Sequence, residues 1–132
     1  MKVSSKYAQS YKRKKIYKSK EGEHMNFKNY QNLSLIDTEK LKESFEEKNF
    51  RIKEEYEERD KFVLYFIDKT YEVELMFFKI FDSVLLTVSA NDDDSLSISS
   101  SSWDFDEFPT NQDILCLVND YCSRLQQKMK EA

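Results

Sequence analysis

The stretch that decides the fold is Lys61–Ala90, KFVLYFIDKTYEVELMFFKIFDSVLLTVSA. Its apolar residues recur with a period of two, the spacing that sends alternate side chains to one face of a strand. Phe62–Ile67 is a compact apolar run, expected as a buried strand. Tyr71, Val73, Leu75 and Phe77 alternate with Glu72 and Glu74, and Val84, Leu86, Val88 and Ala90 continue the alternation. Met76, Phe78 and Ile80 make the second parity apolar as well. That predicts a strand that becomes covered on both faces or carries a bulge. The breaks at Asp68-Lys69-Thr70 and Asp82-Ser83 have hairpin length.

Working outward, Phe50, Ile52 and Tyr56 fall on one parity before this stretch. After a third break at Asn91–Asp94, Leu96 and Ile98 alternate with Ser95, Ser97 and Ser99. The pattern is an antiparallel meander of four or five strands. Asp37 or Thr38 is placed to cap a helix running to about Asn49, with Leu41 and Phe45 one turn apart. At the other end Ile114, Leu117, Val118, Tyr121, Leu125 and Met129 form a helical stripe. Thr110 followed by Asp113 makes a capping-box-like start, and Lys128 and Lys130 suit the C-terminal end of the dipole. The expected fold is α+β: an antiparallel four- or five-stranded meander flanked by an N-terminal and a C-terminal helix, over residues 26–132. Residues 1–25 read as a basic flexible arm.

Charge is segregated along the chain. The first 20 residues carry eight cations and no acid, which leaves 13 of the 21 Lys and Arg against all 25 Asp and Glu, a net charge of −12. A basic extension of +8 thus precedes an acidic body, an asymmetry that bears on partners rather than on fold. The arm interleaves its cations with aromatics: Lys6, Tyr7, Tyr11, Lys12, Arg13, Lys14, Lys15, Tyr17 and Lys18. Cations of this kind release counterions from phosphates, and Tyr stacks on unpaired bases. The body places Glu54, Glu55, Glu57, Glu58 and Asp60 in one run. Asp92, Asp93 and Asp94 follow, then Asp104, Asp106 and Glu107 around Trp103, Phe105 and Phe108. One reading is a solvated surface. The sharper one is a carboxylate array that imitates a phosphate backbone and fits a basic nucleic-acid groove on another protein. Trp103 is then either an anchor for that partner or a plug at the core edge.

Several chemistries lack their residues. One Gly and one Pro leave no phosphate-cradling loop, and no dinucleotide or paired-cysteine zinc pattern occurs. His24 is the only histidine and lies at the junction of arm and body. A nucleophile relying on it would lack preorganisation. Asp92–Asp94 fit a hairpin tip better than a calcium loop. Glu72 and Glu74 share a strand face, the remaining option for a metal-dependent hydrolase. No catalytic residue, metal or cofactor is expected. Cys116 and Cys122, six apart, point about 120° apart on a helix and do not pair with each other there. They read as reduced thiols of an intracellular protein. The longest apolar runs are too short for a bilayer span and no signal-peptide pattern is present, so the expected place is the cytoplasm.

Ser5-Lys6-Tyr7, followed by Ser10-Tyr11-Lys12-Arg13-Lys14, resembles the basic Ser/Tyr/Arg-rich N-terminal arms of some phage anti-CRISPR proteins, which inhibit type II RNA-guided nucleases. The resemblance covers about the first 20 residues. It implies a non-catalytic inhibitor in a bacterial host cell that binds such a nuclease, or its nucleoprotein complex, and blocks nucleic-acid binding or cleavage. Guide RNA or DNA is a further expected contact of the arm. The alternative is a small nucleic-acid-binding accessory or regulatory protein acting through that arm.

Overall fold

A computed structural model describes residue 27 and residues 29–131. A 3-10 turn, Leu33–Leu35, leads into helix α1 (Thr38–Glu47). Five strands follow: β1 (Arg51–Glu57), β2 (Lys61–Ile67), β3 (Tyr71–Phe78), β4 (Ser83–Ala90) and β5 (Asp93–Ser101). A second 3-10 turn, Ser102–Asp104, then precedes helix α2 (Asn111–Glu131). The strands pair antiparallel in sequence order, so the sheet is a five-stranded meander with β1 and β5 at its edges. With one helix before it and one after, the fold is α+β, as the alternation and the two amphipathic stripes require.

Both helices start as the sequence dictates. The Asp37 carboxylate accepts from the Lys40 N–H at 3.2 Å and caps α1. Thr110 and Asp113 exchange bonds reciprocally: Asp113 N–H donates to Thr110 Oγ1 (3.2 Å), and Thr110 N–H to the Asp113 carboxylate (2.9 Å). The two starts are also tied together. Asp37 N–H donates to the Asn111 side-chain carbonyl at 3.1 Å, and the Asn111 amide donates to the Asp37 carbonyl at 2.9 Å. At the end of α1 the chain reverses through Asn49, whose φ of 72° is one of the left-handed values that asparagine tolerates.

The helices cover one sheet face. Phe62, Leu64, Phe66, Val73, Leu75, Phe77, Val84, Leu86 and Val88 point to it and meet Leu41 and Phe45 of α1 and Ile114, Val118, Tyr121 and Leu125 of α2. Phe45 stacks on Phe66 with centroids 4.1 Å apart and meets Phe50 edge-on at 5.5 Å. The segment before α1 is part of this core. Phe27, Leu33 and Ile36 are buried, and Phe27 lies 5.3 Å from Phe77 and 6.2 Å from Phe62.

Among the described residues no helix lies on the opposite face. The strand register aligns Tyr56, Val63, Met76 and Leu85 across it. Their mutual packing buries Val63 completely although it stands outside the main cluster. The second apolar parity of β3 is thus used in this transverse row, with no second helical layer over it among the described residues. The bulge is not in β3 either. It falls on β1 between Ile52 and Glu54, so Ile52 opposes Phe66 while Tyr56 opposes Val63. The common parity read for Ile52 and Tyr56 is thus split between two faces, because one extra residue inverts every side chain beyond it. No helix among the described residues is long and apolar enough to cross a membrane.

Candidate partner-binding surface

The end of the sheet where β3 turns into β4 gathers the surface of interest. Lys79–Asp82 form the turn, and the β1–β2 tip lies beside it, since the Lys79 N–H donates to the Asp60 carbonyl at 2.9 Å. Asp82 closes the turn with φ of 49°. Its carboxylate accepts from the Asn32 N–H at 2.8 Å and the Leu33 N–H at 2.9 Å. These are strong charge-assisted bonds, and they fix the first 3-10 turn to this end. Phe27, where the described chain begins, packs at the same end against Phe62 and Phe77.

Three large apolar side chains stand out here: Ile80 is 74% exposed, Phe81 62% and Trp103 70%. Phe81 and Trp103 meet edge to face with centroids 6.0 Å apart. Ser101 and Asp104 hold the Trp103 turn through a capping box. Trp103 N–H donates to Ser101 Oγ at 3.2 Å, and Ser101 N–H to the Asp104 carboxylate at 2.8 Å. Trp103 is therefore presented to solvent on a braced turn and does not plug the core. Leu35, 56% exposed, projects from the turn that Asp82 clamps. An exposed aromatic pair beside an exposed Ile is the composition of a binding anchor, because truncating such side chains in an interface exacts the largest losses.

The structure divides the predicted acidic residues. Asp104, Asp106 and Glu107 are exposed beside Trp103, and Asp106 and Glu107 carry no ion pair among the described residues. Glu57, Glu58 and Asp60 lie at the same end on the far side of the β3–β4 turn. At about 4.8 Å per strand, the two groups flank the apolar anchor over roughly 20 Å. Part of the β1 run is neutralised locally: Glu57 pairs with Lys79, and Glu58 lies 3.6 Å from Lys61. Glu55 faces the other way, toward α1, where it and Glu39 hold Lys42 at 3.0 and 2.8 Å. Burial alone would lower the Lys42 pKa, but these two carboxylates outweigh it and the net shift is upward. Asp92 and Asp93 sit at the opposite end of the sheet, Asp92 in the β4–β5 turn and Asp93 as the first residue of β5, opposite Ala90. There the Asp93 carboxylate accepts from the Ser95 N–H and hydroxyl, which lowers its pKa. The Asp94 side chain and the arm residues Lys6, Tyr7, Tyr11, Lys12, Arg13, Lys14, Lys15, Tyr17 and Lys18 lie outside the described residues.

The uncovered sheet face carries a second polar group. Glu54, Glu72 and Glu74 surround Tyr65, whose hydroxyl donates to the Glu72 carboxylate. Lys53 lies 3.6 Å from Glu72 and 4.9 Å from the Tyr65 ring centroid. Burial chiefly raises the Glu74 pKa; Lys61 opposes that shift, and Glu54 and Glu72 add to it. Tyr56 is pushed up to about 12 by burial first, then by Glu58, Glu74 and Glu54. Glu72, the candidate metal ligand, is thus engaged by a hydroxyl and an ammonium. Among the described residues no three His, Cys, Asp or Glu side chains are grouped to hold a metal ion.

Sequence reasoning missed Ile80 and Phe81, because the strand alternation was read through Ile80 when β3 ends at Phe78. The available signal was Phe77-Phe78-Lys79-Ile80-Phe81, more apolar residues than two strand faces need immediately before a turn. Compared with protein-family models, with curated proteins and with solved structures, the chain finds no match.

Proposed function

We propose that this is a non-catalytic binding protein that seats the Ile80–Phe81–Trp103 anchor, with its flanking carboxylates, in the basic nucleic-acid groove of another protein. RNA-guided nucleases are the class of partner to which the resemblance of the N-terminal arm points, and blocking of nucleic-acid binding or cleavage is the expected consequence. The observation that carries this reading is the joint exposure of Phe81 and Trp103 beside Asp106 and Glu107, which carry no ion pair among the described residues. The aromatic pair supplies affinity by desolvation. The acids supply orientation and association rate against a basic surface.

The test is binding of the full chain to a type II RNA-guided nuclease loaded with its guide RNA, with competition by target DNA. Trp103→Ala and Phe81→Ala are expected to weaken binding by about 30-fold or more each, the scale of an anchor loss of roughly 2 kcal/mol. Asp106→Asn with Glu107→Gln should slow association and flatten its salt dependence. Asp92→Asn, at the far end, should change little. Binding that survives both aromatic truncations refutes the anchor. Binding of free RNA or DNA by the chain alone, with a steep salt slope, would instead favour an accessory nucleic-acid-binding protein.

A further inference from the structure

The two sheet edges are built differently. β1 is a protected edge, with Arg51, Lys53, Glu54, Glu55 and Glu57 along it and a bulge after Ile52. β5 carries its own irregularity between Asp93 and Ser97, where its register with β4 shifts, but has no such protection over Ser97–Ser101. These five residues carry neither charge nor proline and pair in regular register with Leu85–Ser89. Ser97 and Ser99 are exposed, and the Ser99 hydroxyl already joins that of Thr87 across the ladder at 2.9 Å. Nothing among the described residues pairs with the outer side of β5. Its outward N–H and C=O groups form a ready template for an added strand.

Charge selects what fits. The neutral run is bounded by Asp92 and Asp93 at one end and by Asp104, Asp106 and Glu107 at the other. A second copy of β5 is disfavoured in both orientations. Parallel pairing sets Asp93 against Asp93, and antiparallel pairing about Ile98 brings the Asp92–Asp93 end of each copy toward the acidic Asp104 turn of the other. The complementary strand is neutral for about five residues and basic on both flanks. This chain contains one. Tyr7-Ala8-Gln9-Ser10-Tyr11 is uncharged, with Lys6 before it and Lys12-Arg13-Lys14-Lys15 after it. The 15 residues from Lys12 to Asn26 can extend up to roughly 50 Å, more than twice the width of five strands at about 4.8 Å each. We propose that the free edge of β5 is the docking place of residues 7–11 of the same chain, added as a sixth strand with their flanking cations on the acidic ends. The docked cations and a basic partner compete for Asp104, Asp106 and Glu107, so occupation of the β5 edge and engagement of that acidic flank exclude each other, while the exposure of Phe81 and Trp103 stands apart from both.

The experiment is amide hydrogen exchange on the full chain, read at Ser97–Ser101. In the unaltered protein the outward amides of this run should be protected, and the protection should be constant on dilution. Ala8→Pro, which prevents regular strand pairing, should accelerate their exchange tenfold or more. Reversal of Lys12–Lys15 to Glu should do the same, and so should high salt. All these changes lie outside the core described above, so the inward amides bonded to β4 provide an internal control for the fold. Outward amides that exchange equally fast in the unaltered protein and in both variants overturn the proposal. Protection that disappears on dilution overturns its intramolecular form and assigns the strand to a neighbouring copy.

Discussion

Cys116 and Cys122 stand six residues apart on α2, yet their surroundings differ enough to separate their chemistry. Cys116 is exposed and accepts from the Gln112 amide at 3.6 Å; Cys122 is half-buried beside the core. Burial is the main cause that pushes the Cys122 thiol up to about 11, with Asp68 adding to the shift and Lys48 opposing it. A thiol raised this far is almost entirely protonated at pH 8, and half-burial further limits its access to reagents. Iodoacetamide at that pH should label Cys116 promptly and Cys122 at least 100-fold more slowly, with the difference erased in denaturant. Equal rates in the folded protein would contradict the burial of Cys122. The sign of the linkage follows from the same shift. The folded state holds this proton more tightly than the unfolded state, so the contribution of Cys122 to stability falls as pH rises from the ordinary thiol range through about 11.

At the scale of elements, the turn before α1 depends on one carboxylate from a distant hairpin. Asp82 accepts both the Asn32 and the Leu33 N–H, and it occupies a left-handed backbone position that disfavours most side chains. Asp82→Gly keeps the conformation accessible and removes the acceptor, isolating the bonds. It should cost about 1–2 kcal/mol and speed amide exchange at Asn32 and Leu33 while the strands stay protected; unchanged exchange there would show that the clamp is dispensable. This tie was not legible in the sequence, since nothing in Asp82-Ser83 distinguishes a clamp from an ordinary turn. The strands were legible because burial on one face imposes a period of two, and α2 because burial of a stripe imposes a period of 3.6. β1 was misread for a physical reason: its bulge inverts parity at Lys53, and all seven of its residues are exposed. Of the candidate surface, Trp103 and its acids were visible as a composition, but the partnership with Phe81 requires two turns that only the sheet order brings together.

At the scale of the whole molecule, the question is where the cooperative unit begins. Phe27, Leu33 and Ile36 are spaced without helical or strand period, so the sequence shows them only as scattered apolar residues in a connector. In the structure all three are buried, and Phe27 closes the sheet end against Phe62 and Phe77. Burying side chains of this size contributes about 1.5–3 kcal/mol each, so the three together approach the whole stability of a typical domain, about 5–15 kcal/mol. Two truncations follow from that comparison. A chain beginning at residue 26 retains every core residue named above, along with the Asp82 clamp. It should unfold cooperatively, with a Tm lower by no more than the few degrees that loss of an edge interaction on β5 accounts for. A chain beginning at residue 37 retains the Asp37 cap and both helices but loses the three side chains and uncovers Phe62 and Phe77. It should lose cooperative unfolding and bind a dye for exposed apolar surface. If that shorter chain melts as sharply as the longer one, the segment before α1 is an ornament on the fold rather than a wall of its core, and the anchoring of the N-terminal extension beside the Ile80–Phe81–Trp103 surface loses its structural basis.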